Sequence, residues 1–254
     1  MAHQALGSHQ RSNFATLARR CDQSIIPLRL APRPRSKQQY HTIHRHPPAQ
    51  VVIVSRNPSK APEAAHVFER VQCDSLDRQA LGAMFAAHAP YDILISSATG
   101  GARAMGPFMS MDIDGYKNSF AKLWGYANVV QLGVPHLAAD GAVVLVSGAP
   151  ARRPKAGQVA LASVGASVEQ LVRTLAPELA PRRINCVSPG MIDTPMFGPS
   201  CAEKTERLEN ATKANLVPRP GAPEEVADAI VFVATNRFVT GTTVDVDGGW
   251  LHKG

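Results

Sequence analysis

No glycine occurs between Gly7 and Gly82. A glycine-rich turn, where backbone must come close to a phosphate, is therefore excluded from that stretch. Cysteine is scarce too. Cys21, Cys73, Cys186 and Cys201 stand far apart, with no C-x-x-C pair and no Cys/His cluster at metal-ligand spacing. That excludes a disulfide framework and a zinc motif, and it fits a reduced compartment with cysteines packed as small hydrophobes. No apolar run of about 18 residues exists, so no membrane-spanning helix is expected. Acidic residues are nearly missing from residues 1–50, where Asp22 alone stands against eight Lys and Arg. Residues 51–254 carry nineteen of each sign. The net charge of +7 thus belongs to the N-terminal segment. The neutral remainder lacks the basic face, helix-turn-helix pattern or stacking aromatics of a nucleic-acid binder. What is present is ample for folding. The chain has 254 residues, 44% hydrophobic and 19% charged, which suits one large domain or two small ones with a sizeable core.

Two zones follow. Residues 1–49 read as a basic, poorly ordered extension, rich in Pro, Arg and Gln, with five of the nine histidines falling before residue 50. Only Phe14–Arg20 and Ser24–Leu30 look like short ordered pieces, and Pro27 interrupts the second. Residues 50–254 read as a folded domain. Short apolar, β-branched runs recur there: "VVIVS" (51–55), "DILISSA" (92–98), "AVVLVS" (142–147), "INCVS" (184–188) and "TTVDV" (242–246). Helical spacing lies between them over Asp77–His88, Asp114–Ala138, Ala166–Leu179 and Glu224–Thr235. On Ala166–Leu179 the apolar stripe runs through Val168, Leu171, Val172, Leu175 and Leu179, with Arg and Glu opposite. Strands alternating with such helices predict βαβ units and a parallel sheet covered on both faces.

Such sheets bind ligands beyond the carboxyl ends of their strands. Arg56 lies just past the first run, with Ser55 before it. An arginine there suits a 2′-phosphate, and equally an ordinary solvated turn. Asp74 reads either as an acceptor for an adenine amino group or as an acid at a helix start. "ILISSATGG" permits close backbone approach to a ligand or a tight turn. In "INCVSPGMIDTPMF" the backbone amides and the Thr194 hydroxyl are candidates to face phosphate or carboxamide.

Taken in order, these motifs resemble the short-chain dehydrogenase/reductase family. The resemblance runs from about Gln50 to Trp250. Its most specific parts are "VVIVSRNPSK", "LVRTLAPELAPRRINCVSPGMIDTPMF" and "PRPGAPEEVADAIVFVATNRFVTGTTVDVDGGW". It implies an α/β Rossmann-like doubly wound parallel sheet, with the first βα unit absent or irregular here. It implies hydride transfer between a nicotinamide cofactor and a carbonyl or alcohol. It places Ser55, Arg56 and Asp74 at the adenosine end, with Ser96, Ser97 and Ala98 along the cofactor. Pro189, Gly190, Ile192 and Thr194 then surround the nicotinamide carboxamide and phosphates. Arg56 favours NADP(H). The resemblance also makes residues between Met191 and Pro223 a substrate lid. There Met191, Met196, Phe197 and Leu216 suggest a fairly apolar ligand of small to medium size.

The family's catalytic Tyr-x-x-x-Lys pair is missing. Its positions fall on Leu161 and Gly165, the serine position on Gly148, and the helix asparagine on Lys122. Ser147 stands beside the lost serine and is a candidate hydrogen-bond donor to a substrate oxygen. Lys122 is a candidate source of charge or a proton, with Tyr116 and Tyr126 close in sequence. The bland alternative is a snorkelling lysine and a packed tyrosine. The expected function is an NADP(H)-dependent oxidoreductase with Ser147 and Lys122 as catalytic groups. A tailoring reductase of specialised metabolism is one setting for it. The rival is a non-catalytic dinucleotide sensor or scaffold. Expected partners are a small carbonyl or alcohol and further copies of the chain as a homodimer or homotetramer, with no nucleic acid, membrane or metal. The expected location is cytoplasmic. Residues 1–50 also admit a mitochondrial presequence, a polyanion-binding tail, or, as we favour, an altered reading frame or exon junction standing where the Gly-rich unit belongs.

Overall fold

The computed structural model describes residues 25–29, 50–58, 67–98 and 103–252. The helix-like piece Phe14–Arg20, Cys21 and the glycines of "ATGG" lie outside the described residues. Among these residues, seven strands form one sheet: β1 (Ile25–Arg29), β2 (Gln50–Ser55), β3 (Val67–Gln72), β4 (Tyr91–Ser96), β5 (Leu137–Val146), β6 (Arg183–Pro189) and β7 (Thr243–Val246). Their spatial order is β3-β2-β1-β4-β5-β6-β7. β2 and β3 pair in parallel, as do β4 through β7. This is the Rossmann-like arrangement that the alternating pattern predicts.

The central strand runs backwards. β1 pairs antiparallel with both neighbours, Ile25 lying opposite Val54 and Ser96, and Leu28 opposite Val51 and Ile93. The sequence reading allowed a short ordered piece at 24–30, and β1 is that piece, seated within the sheet. Its Pro27 is buried opposite Leu94 and has no N–H to give the ladder.

Among the described residues, six helices of more than one turn accompany the sheet: α1 (Arg78–Ala87), α2 (Ile113–Ser119), α3 (Ala121–Gly133), α4 (Val159–Leu179), α5 (Ala202–Thr212) and α6 (Pro223–Thr235). Asp77 caps α1, its Oδ1 accepting the Ala80 amide at 3.0 Å. The single long helix expected over Asp114–Ala138 is instead two. It breaks at Phe120 and ends at Gly133, where Pro135 denies the next turn a donor. The Tyr91 hydroxyl donates to the Gly133 carbonyl at 2.6 Å and satisfies that helix end. Helix α4 starts seven residues before the expected Ala166, which brings Leu161 and Gly165 into its first turns. On α6, Pro223 sits at the first position and Glu225 accepts the Ala222 amide at 2.7 Å.

Period-two alternation builds the two cores. Val52, Val54, Leu94, Val143, Leu145 and Ile184 face α1, α3 and α4. Val51, Ile53, Ile93, Ile95, Val144 and Val187 face α6. Buried Arg183 caps the far end of α6, donating to the carbonyls of Val233, Ala234 and Asn236. Among the described residues, no helix is long and apolar enough to cross a membrane.

Candidate functional site

The six parallel strands end on one edge. That edge gathers the ends of β2 and β3 (Ser55, Arg56, Asp74), β4 (Ser96, Ala98), β5 (Ser147) and β6 (Pro189, Gly190). Ile192 and Thr194 follow in the loop after β6. The residues nominated from sequence thus share one side of the sheet.

On the β2–β3 flank, Arg56 is exposed and its carbonyl accepts from the Gln72 side chain at 3.2 Å. The Asp74 Oδ1 accepts the Leu76 amide at 2.9 Å, which makes it a turn-former; the helix cap is Asp77. In the middle, Ser96 is wholly buried, and its hydroxyl has no partner among the described residues.

On the β6 flank, two amides offered to a ligand by the sequence reading are already used. The Gly190 amide donates to Val246 at 3.0 Å, and the Asp193 amide to Gly221 at 2.9 Å. Gly190 lacks a side chain for a structural reason, since a Cβ there would lie 2.7 Å from the Asp247 Cα. Ile192 is buried and bridges to Gly221. Thr194 is partly exposed, and its hydroxyl does not cap the turn Pro195–Phe197.

A pocket opens beyond β5, against α3 and α4. Arg103, Ser119, Lys122, Ser147, Leu161 and Gly165 line it. Leu161 and Gly165, the positions that the resemblance equates with the family's Tyr and Lys, therefore line the same space as Lys122 and Ser147. A Cβ at Gly165 would meet the Ala151 Cβ at 3.0 Å, so a larger residue there requires Ala151 to give way by a few tenths of an ångström. Lys122 Nζ donates to the Ser147 carbonyl at 3.3 Å and lies 5.5 Å from the Tyr126 ring centroid. Tyr126 is fully buried and donates to the Val146 carbonyl at 3.1 Å. Burial holds its phenol well above the ordinary value, so it packs and does not titrate. Tyr116 turns away to Ser163 at 3.4 Å.

Ser147 differs from the expectation. Its Oγ donates to Glu169 Oε1 at 3.0 Å, not into the pocket. Glu169 sits on α4 with 2% of its side chain exposed, although the sequence reading put Glu on the solvent face. Its other oxygen, Oε2, meets Arg152 Nε at 3.3 Å and Arg173 at 3.9 Å. Arg152 in turn grips Asp245 of β7 with its two terminal nitrogens. Beneath Ser147, burial pushes the Cys186 thiol up to about 11. Cys73 is buried as expected, whereas Cys201 is exposed. Glu169 was legible in one respect. It continues the buried stripe Ala160, Val164, Gly165, Val168, Val172. Arg103, which also escaped notice, donates to the Met196 sulfur at 3.3 Å and so joins the pocket to the segment after β6. Within that segment, buried Lys204 of α5 pairs with Asp193 at 2.7 Å. Among the described residues, no group of three or more His, Cys, Asp or Glu is placed to hold a metal ion.

The family model described as enoyl-(acyl carrier protein) reductase matches residues 46–251. The chain belongs to the short-chain dehydrogenase/reductase family. Its relatives in this oxidoreductase family include L-xylulose reductase of Bos taurus, 27% identical over 214 residues, which are 80% of this chain and 86% of that protein. The 3-oxoacyl-(acyl-carrier-protein) reductase FabG of Thermotoga maritima is 38% identical over 135 residues, 50% of this chain and 53% of that protein. The chain spans about half the length of several curated relatives it matches. Among solved structures, a small-chain dehydrogenase in complex with NADPH is 28% identical, with a TM-score of 0.68 over 74% of this chain and 89% of that one.

Within this family fold, the residues nominated for a dinucleotide stand at the two flanks of the sheet edge, and the centre differs. Pyrophosphate is normally held where a strand runs out into a helix N-terminus. β1 runs the other way, so among the described residues no such turn stands there.

Proposed function

We propose that the chain is an NADP(H)-linked oxidoreductase that interconverts a carbonyl and an alcohol on a small to medium, fairly apolar substrate. The observation that carries this reading is the pocket itself. It unites an ammonium group, Lys122, with a serine, Ser147, against the apolar Leu161, at the sheet edge where the family's chemistry takes place. The nicotinamide cofactor supplies or accepts the hydride. Lys122 holds the proton exchanged with the substrate oxygen, and Ser147 fixes that oxygen. Arg56 and Ser55 meet the 2′-phosphate and Asp74 the adenine. Ser96 and Ala98 back the middle of the site, and Pro189, Gly190, Ile192 and Thr194 border the nicotinamide end. No role is assigned at the pyrophosphate. A homodimer or homotetramer and a cytoplasmic location belong to the same proposal.

The second reading, a non-catalytic sensor or scaffold, is favoured by the reversed β1 and by Leu161 and Gly165, which cannot titrate. Titrating the full chain with NADPH, then following NADPH loss against a panel of carbonyl compounds, separates the two. Turnover supports the enzyme. Binding without turnover leaves the sensor, and no binding at millimolar NADPH leaves the scaffold.

A further inference from the structure

The buried Glu169 decides which way the Ser147 proton points. A serine hydroxyl has one proton and two lone pairs, whereas an ionised carboxylate only accepts. Glu169 sits against two guanidinium groups, Arg152 and Arg173, at 3.3 and 3.9 Å, and is nearly sealed from water. As the carboxylate it has no proton to offer. The 3.0 Å contact with Ser147 is therefore made with the serine proton. The Cys186 thiol also lies within hydrogen-bond reach of the Ser147 side chain, and what Ser147 then presents to the pocket is its remaining lone pair.

We infer that Ser147 acts in this pocket as a hydrogen-bond acceptor, with Glu169 the positioning residue that makes it one, so the site prefers an alcohol over the matching carbonyl. The inference rests on the oxidoreductase reading of the pocket and names its ground-state ligand. An alcohol donates its O–H to Ser147 and still accepts from the ammonium of Lys122, which lines the same pocket. A carbonyl has only acceptor lone pairs, and these meet that of Ser147. One neutral hydrogen bond of this kind corresponds to roughly a five-fold difference in affinity.

Glu169→Gln tests the device without emptying the space. Arg152 Nε needs an acceptor, so the amide oxygen of the variant faces Arg152 and its NH2 group faces Ser147. The serine proton is then released toward the pocket. A variant that merely loosened the fold would weaken both ligands alike.

Two measurements on the full chain decide the matter. Neutron diffraction after deuterium exchange should place the Ser147 deuteron between Oγ and Glu169 Oε1; a deuteron aimed into the pocket overturns the inference. Saturation-transfer NMR with cyclohexanol and cyclohexanone should show the alcohol bound about five-fold more tightly, with the preference lost or reversed in Glu169→Gln. Equal binding, unchanged preference in the variant, or binding of neither compound overturns it. NADPH titration reports separately on the oxidoreductase reading, so the two failures are distinguishable.

Discussion

Lys122 Nζ donates to the backbone carbonyl of Ser147 at 3.3 Å, which fastens the first turn of α3 to the end of β5. A side chain held at one point presents its charge at a fixed place in the pocket. Lys122→Met keeps the apolar stem and removes the charge. We expect NADPH-linked turnover to fall about 10²-fold or more, as for loss of a general acid. The urea midpoint should change little. Turnover equal to wild type removes Lys122 from the chemistry.

Arg56 is exposed at the end of β2, where a guanidinium can meet a 2′-phosphate. Arg56→Ala should weaken NADPH binding by about ten-fold or more while leaving NADH nearly untouched, since a charged hydrogen bond contributes ~1.5–3 kcal/mol. Fluorescence titration of both cofactors checks this, and an unchanged ratio rejects the assignment.

Gly190→Ala drives a methyl group to 2.7 Å from the Asp247 Cα, which is backbone and cannot swing aside. Overpacking of this kind costs ~1–3 kcal/mol. A lowered urea midpoint is expected even before any ligand is added.

Glu225 accepts two bonds from Arg219, at 2.9 and 2.7 Å, and one from the Ala222 amide. The Arg219 guanidinium, then the Ala222 amide, lower its carboxyl from 4.5 to about 2. The folded state therefore favours the charged form. The resulting stability is fully present above pH 4.5 and disappears as pH falls toward 2. Both side chains are well exposed, at 54% and 41%, so water screens the pair and only a small contribution is expected. The gap in melting temperature between wild type and Glu225→Gln should be constant near neutrality and close through that window.

β1 has five residues, one of them a proline without a donor. Its amides should exchange with deuterium sooner than those of Ile93–Ile95 in β4, a longer strand without proline. Equal protection of the two segments would contradict this.

What could be read from sequence was what local chemistry dictates. "VVIVS", "AVVLVS" and "INCVS" announce strands because both of their faces are buried. "VFERVQ" did not, because β3 lies at the sheet edge and tolerates Glu69 and Arg70. The Asp114–Ala138 segment looked continuous because composition hides what Pro135 does to the turn. The direction of β1 is a tertiary property, since "IIPLR" has the same side chains whichever way it is laid down. The pocket was half legible. Lys122 and Ser147 followed from the family pattern, but Glu169 looked like one more charge on a helix until its neighbours were in place.

Because Ile25 lies beside Val54 and Ser96, the amino end of β1 stands at the ligand edge of the sheet. In a parallel first strand that end would stand at the opposite rim. The reversal therefore gives this rim the start of one strand among the finishes of six, so the backbone it offers beside Ser96 is an entry and not an exit.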